Sequence, residues 1–213
     1  MRNPKPPHWE PSHYQGSLKM KNRLGTIARM ANFFIAGALL SASGLAFATA
    51  VPDKTFYPLI RLTVARLDVA RDVALTKWDT RKLVEDPDRE MQVISTAASE
   101  SSAAGVSEHL ARNFFSDQIE ANKLVQYGLM AQWHREGKAP SSPRVSLTHQ
   151  IRPKLDNLQT ALIQQLAETE SLRSKPDCAT QLFATANAYA VERRLSALYS
   201  IALDRALARV CAL

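Results

Sequence analysis

Glycine is scarce in this sequence. Only Gly105, Gly128 and Gly137 follow Ala50, so no glycine-rich loop is available to cradle a phosphate. The short signatures of hydrolytic and metal chemistry are missing too: there is no G-x-S-x-G and no H-E-x-x-H. His109, His134 and His149 form no cluster and read as surface residues. Cysteine occurs twice, at Cys178 and Cys211, with no histidine or carboxylate at ligand spacing, which argues against a metal site. Alternating runs of the kind that build half-buried strands are also lacking. What dominates after Ala50 is Ala, Leu, Arg and Gln, a composition that favours helix.

Positive charge is in excess. The formal net charge of +7 points at first sight to a nucleic-acid partner. Its distribution removes that reading. Residues 1–50 hold six Lys/Arg against Glu10 alone, whereas residues 51–213 hold 21 basic and 19 acidic residues. No run of Lys/Arg with interleaved aromatics appears in that second part.

The leader has the parts of a secretory signal peptide. Lys21, Arg23 and Arg29 make a basic region, residues 30–40 are uncharged and mostly apolar, and Ala46-Phe47-Ala48 and Ala48-Thr49-Ala50 are both cleavage sites of A-x-A type. Cleavage after Ala48 and after Ala50 fit equally well. The apolar stretch is short and is followed by small residues, with Gly37 and Gly44 interrupting. This favours cleavage over a membrane anchor. Residues 1–19 are proline-rich and polar, an unusual start for such a leader. Either translation begins at Met20 or this piece is disordered. The expected location is the periplasm or the medium, with no membrane association after cleavage.

Export changes how the cysteines read. An even count in an oxidising compartment favours a Cys178–Cys211 disulfide over two buried thiols. It would close a loop of about 34 residues, worth about 4 kcal/mol in the chain-entropy model.

Residues 51–213 read as one all-α domain, a bundle of about five helices. The first is expected over 56–82. Asp86-Pro87 reads as an N-cap followed by a proline in the first turn, opening a second helix that runs to 104 and stops at Gly105. A third is expected over 107–134, ended by Gly137. A linker-like loop covers 137–146. A fourth helix is expected over 148–173, and a fifth from 179 to the end.

The helices place polar groups where apolar ones belong. At about 100° per residue, Leu59, Leu62, Val69 and Val73 fall within about 60° of Arg66, and Lys77 falls about 20° from it. Asp68, Arg71, Asp72 and Asp79 take the other side. In the third helix Asn122 and Gln126, one turn apart, interrupt the stripe of Phe115, Ile119, Leu129 and Trp133. In the fourth, Arg152 precedes the stripe of Leu155, Leu158, Leu162 and Leu166 by one turn. Pro153 disfavours helical geometry at Arg152, which predicts that Arg152 stands at the helix start. Arg89 lies beside Asp86, the only evident acid in the set. Burying several unpaired cations is costly. The pattern therefore reads as a cationic, amide-lined pocket for a small ligand with more than one carboxylate. Trp78 and Trp133 read as core residues.

The spacing Arg66-x10-Lys77-x8-Asp86-x2-Arg89, followed by Asn122-x3-Gln126, resembles the all-helical chorismate mutase family, and in particular its exported subclass. The resemblance extends to Lys77-Trp78, to the F-x-D-Q-I segment at Phe115-Ser116-Asp117-Gln118-Ile119, and to the R-x-x-[IL]-D-x-L segment at 152–158. It also extends to the late cysteine pair and covers essentially all of 56–213. It implies a Claisen rearrangement of chorismate to prephenate, which needs no nucleophile, metal or cofactor. Lys77 and Gln126 would flank the ether oxygen, Arg66 and Arg152 would hold carboxylates, and Arg89 would complete the cationic wall. Asp86 would bind the substrate hydroxyl. Asn122, where the family often has Ser or Thr, would contact a carboxylate or hydroxyl. The resemblance also implies a homodimer with a whole site in each chain. Two rival readings use the same stripes. One is an exported helical protein that binds a small dicarboxylate without turnover. The other is a helical chaperone or adaptor, which would show an exposed apolar groove without buried cations.

Overall fold

The computed structural model describes residues 56–211, and the leader with its candidate start and cleavage points lies outside them. The described residues form seven α-helices and no strand: α1 Tyr57–Thr80, α2 Pro87–Ala103, α3 Glu108–Glu136, α4 Arg152–Glu168, α5 Glu170–Arg173, α6 Cys178–Glu192 and α7 Ala197–Leu207. None of them is long and apolar enough to cross a membrane.

The first three helices follow the expected signals. Asp86 Oδ1 accepts from Arg89 N at 3.3 Å, with Pro87 in the first turn, and Glu90 returns a carboxylate oxygen to Asp86 N at 3.1 Å. Ser107 caps α3 through Leu110 N, and Gly137 ends it in the left-handed conformation at φ 71°. Gly105, at φ 74°, follows α2. Glycine adopts this conformation without the steric cost of a Cβ.

The count of about five helices is corrected to seven, because two expected helices break. The fourth stops at Thr169, whose hydroxyl bonds back to Gln165 O at 2.7 Å. The Arg173 guanidinium then takes over Leu166 O, with Nη2 at 3.0 Å. At Leu166 O a side chain thus takes the place of the helical ladder, and a single separate turn, α5, follows. The fifth breaks at Arg194, which is left-handed at φ 51°, and Ser196 caps the new helix through Tyr199 N. Arg152 stands at the start of α4, as Pro153 predicts, but its conformation is helical at φ −60°, ψ −50°. A π-type turn, Leu147–Ile151, leads into it. That wider turn absorbs Pro153, which has no N–H and whose ring crowds the preceding turn.

The core is built where α1, α3, α4, α6 and α7 meet. Phe56, Leu59, Phe114, Phe115, Leu162, Leu166 and Leu203 are fully buried. The long α3 packs against α1, α2 and α7, and α4 packs against α1 and α2. Asp117, 1% exposed, receives Arg205 from α7 and Arg209 just beyond it. Gln118 Nε2 donates to Ala206 O at 3.1 Å. The Asp-Gln pair of the F-x-D-Q-I segment therefore staples α3 to α7. The Cys178–Cys211 disulfide ties the start of α6 to the segment after α7. Trp133 is buried, as a core residue should be, edge-on against the partly buried Trp78, with ring centroids 5.9 Å apart.

Candidate active site

A cavity of about 140 Å³ opens between α1, α2, α3 and α4, and Arg66, Lys77, Asp86, Arg89, Asn122, Gln126 and Arg152 all line it. Four separate segments of the chain thus deliver their odd polar side chains to one place. Helical spacing does this on α1, where Arg66 and Lys77 lie three turns apart on one face.

Arg66 is 5% exposed, with its guanidinium 5.7 Å from the centroid of the Phe115 ring. Its side chain makes one hydrogen bond among the described residues, from Nη1 to Leu155 O at 3.4 Å. Burial lowers its pKa to about 10, with Asp156 opposing the shift and Arg89 adding to it. Lys77 donates to Val84 O at 2.5 Å. Burial lowers its pKa as well, against the pull of Asp86, Glu90 and Glu85. Both groups are desolvated cations, the condition in which a charge acts most strongly on a ligand.

The structure adds four polar residues that the stripes did not single out: Glu90, Lys123, Asp156 and Gln159. Asp86 is therefore not the only acid present. Arg89 reaches Asp156 at 3.6 Å and Gln92 at 2.8 Å, and Asp86 meets the Arg89 backbone N–H, not its guanidinium. Lys123 pairs with Glu90 at 3.0 Å and with Glu120 at 2.7 Å. Burial works against the Lys123 charge, but the two carboxylates more than offset it and raise its pKa. Gln159 Nε2 donates to Glu100 at 2.9 Å. Two of these had a signal in the sequence: Asp156 and Gln159 stand four and seven residues after Arg152, on its helical face. Lys123, four residues after Ile119 at the edge of the α3 stripe, had a weaker one. Five cations and three carboxylates line the cavity, a net of +2.

On α3 the two amides touch. Asn122 Nδ2 donates to Arg66 O at 3.2 Å, and Gln126 Nε2 donates to Asn122 Oδ1 at 2.8 Å. Arg152 is exposed at the rim. Among the described residues no three His, Cys, Asp or Glu side chains gather in a way that could hold a metal ion.

Residues 58–127 match the family model described as chorismate mutase type II. The crystal structure of chorismate mutase from Burkholderia phymatum superimposes with a TM-score of 0.74 and 46% identity, over 75% of this chain and 98% of that one. This chain belongs to the chorismate mutase family. The chorismate mutase structure from Burkholderia thailandensis is also similar, at TM-score 0.71 and 36% identity, over 75% of this chain and all of that one. A relative from Mycolicibacterium smegmatis, named secreted chorismate mutase, is 28% identical over 177 residues, 83% of this chain and 97% of its own. The chorismate mutase type II match contains α1, α2 and most of α3, and so six of the seven lining residues expected from the sequence; Arg152 on α4 is the seventh.

Proposed function

We propose that this chain is an exported chorismate mutase that converts chorismate to prephenate, with Lys77, Gln126 and Arg66 as its catalytic residues. The observation that carries the reading is the convergence of desolvated Arg66 and Lys77 with Gln126 on one cavity of net charge +2. Chorismate is a flexible dianion of complementary charge. The reaction breaks a C–O bond as a C–C bond forms, within one molecule, so the protein need not exchange a proton or an electron with it. Its work is to hold the compact conformer and to stabilise negative charge growing on the ether oxygen.

In this reading Arg66 and Arg152 hold the two carboxylates, using the fork of donors that suits that group. Arg89 completes the positive wall beside Arg66. Asp86 takes the substrate hydroxyl with the oxygen that does not cap α2. Lys77 and the free N–H of Gln126 face the ether oxygen from either side. The secreted relative from Mycolicibacterium smegmatis supports export, as does the disulfide. In the same reading the working unit is a homodimer with a complete site per chain.

The test is the loss of chorismate's ultraviolet absorbance with oxidised protein lacking residues 1–50. The rate constant is expected to be nearly flat from about pH 5 to 9, since an amide donates at any pH. At higher pH it falls, because burial lowers the Lys77 pKa below the usual lysine value and the Arg66 pKa to about 10. Gln126→Glu introduces a group that donates only when protonated. That variant is expected to keep activity at acid pH and lose it progressively as pH rises. A steep decline of the unmodified protein above pH 6 would remove Gln126 from its role. Folded protein without turnover would leave a dicarboxylate-binding pocket.

A further inference from the structure

We propose that Asn122 is a positioning residue that sets which end of the Gln126 amide points into the cavity; the inference rests on the mutase reading above. A side-chain amide has nearly the same shape either way round, and rotating it by half a turn exchanges a donor for an acceptor. Beside a developing negative charge the two orientations have opposite effects. Something must decide between them, and the hydrogen bonds of the cavity do.

The decision starts at the backbone. Arg66 O belongs to α1 and can only accept. The Asn122 atom that faces it at 3.2 Å is therefore Nδ2, and Oδ1 is turned the other way. Oδ1 can only accept, so the Gln126 atom that meets it at 2.8 Å is Nε2. One hydrogen of Nε2 is used, and the second is held in the amide plane at a fixed angle. The remaining atom, Gln126 Oε1, is buried and has no partner among the described residues. A buried acceptor without a partner is costly, so a freely turning amide would seek another orientation. Asn122 prevents that. The family resemblance implies that Asn122 contacts a substrate carboxylate or hydroxyl; in the structure one Nδ2 hydrogen and Oδ1 are already committed to Arg66 and Gln126.

The charged groups around the pair do not supply this orientation. Arg66 and Lys77 come from α1, Arg89 from α2 with Asp86 and Glu90, and Arg152 and Asp156 from α4. None of them is hydrogen-bonded to the Gln126 amide. The anchor is a main-chain carbonyl, which does not titrate, so the orientation persists across the pH range of the assay.

Asn122→Ala, Asn122→Ser and Asn122→Asp separate this role from direct substrate contact, with turnover of chorismate by the unmodified protein as the control. Absence of that turnover would overturn the mutase reading and the inference with it. Asn122→Ala is expected to lower kcat about 10-fold and to change KM by less than about two-fold, because the chemical step loses an aligned donor while binding does not. Asn122→Asp keeps an acceptor for Gln126, loses the donor to Arg66 O and adds a negative charge. It should keep more of kcat than alanine does and raise KM. Asn122→Ser retains a hydroxyl acceptor and is the variant to use if alanine does not fold. The deciding comparison is in the Gln126→Ala background, where Asn122→Ala should cost less than about two-fold further in kcat. An equal loss of kcat in both backgrounds, or a change confined to KM, would overturn the proposal.

Discussion

Lys77→Ala is expected to lower kcat/KM for chorismate by about 10³-fold. Removing a single donor aimed at developing charge costs about 10²–10³ in kcat. Lys77 carries a full charge besides, in a site where burial has stripped part of its solvent and lowered its pKa. The loss should appear in kcat as well as in KM, because Coulomb attraction to a dianion helps binding while alignment with the ether oxygen helps only the transition state. Lys77→Arg should recover little, since a planar fork cannot reproduce a point charge held against Val84 O at 2.5 Å. Thermal melting of both variants checks that the loop after α1 still closes. Activity within about 10-fold of the parent would remove Lys77 from the chemistry and leave Arg66 as the main electrostatic group.

Removing the disulfide is the larger perturbation of stability. Cys178→Ser with Cys211→Ser is expected to lower the unfolding free energy by about 4 kcal/mol on the chain-entropy estimate for a loop of this length. The segment released is integral to the core: Leu207 and Val210 are fully buried, and Arg205 and Arg209 hold the buried Asp117 of α3. Since α3 also carries Asn122 and Gln126, loosening α7 loosens the helix that presents the amides. Urea unfolding with and without reductant measures the loss. At low temperature, where the folded state still dominates, kcat should stay near the parent value. A decrease below about 1 kcal/mol would show that packing alone closes the C-terminal hairpin of α6 and α7.

What could be read from the chain differs between local and global features. Caps and stops are local chemistry. Asp86-Pro87, Ser107 and Gly137 act through their own backbone neighbours, so their places in the fold were legible. The misplacement of Arg66, Lys77, Asn122, Gln126 and Arg152 was legible for the same reason, because a helix has one periodicity. The breaks at Thr169 and Arg194 were not. The first depends on a side chain replacing a backbone bond, as Arg173 does at Leu166 O, and no spacing rule reports such a competition; the second is closed by backbone bonds, Arg194 N to Val191 O and Leu195 N to Ala190 O, around a left-handed residue that is not glycine.

The sequence by itself determined an all-helical chain, the faces on which the unusual cations lie, and the cysteine pair. Helical order and amphipathic period are properties of neighbouring residues. Only the tertiary structure decided which acids those cations meet. Asp156 stands 67 residues after Arg89, and Lys123 stands 33 after Glu90, and each pair exists only because α2, α3 and α4 pack side by side. The same packing brings Asn122 to the Arg66 carbonyl, 56 residues earlier in the chain. Charge balance and amide orientation in the cavity are distances between helices, and those are set by packing, not by sequence period.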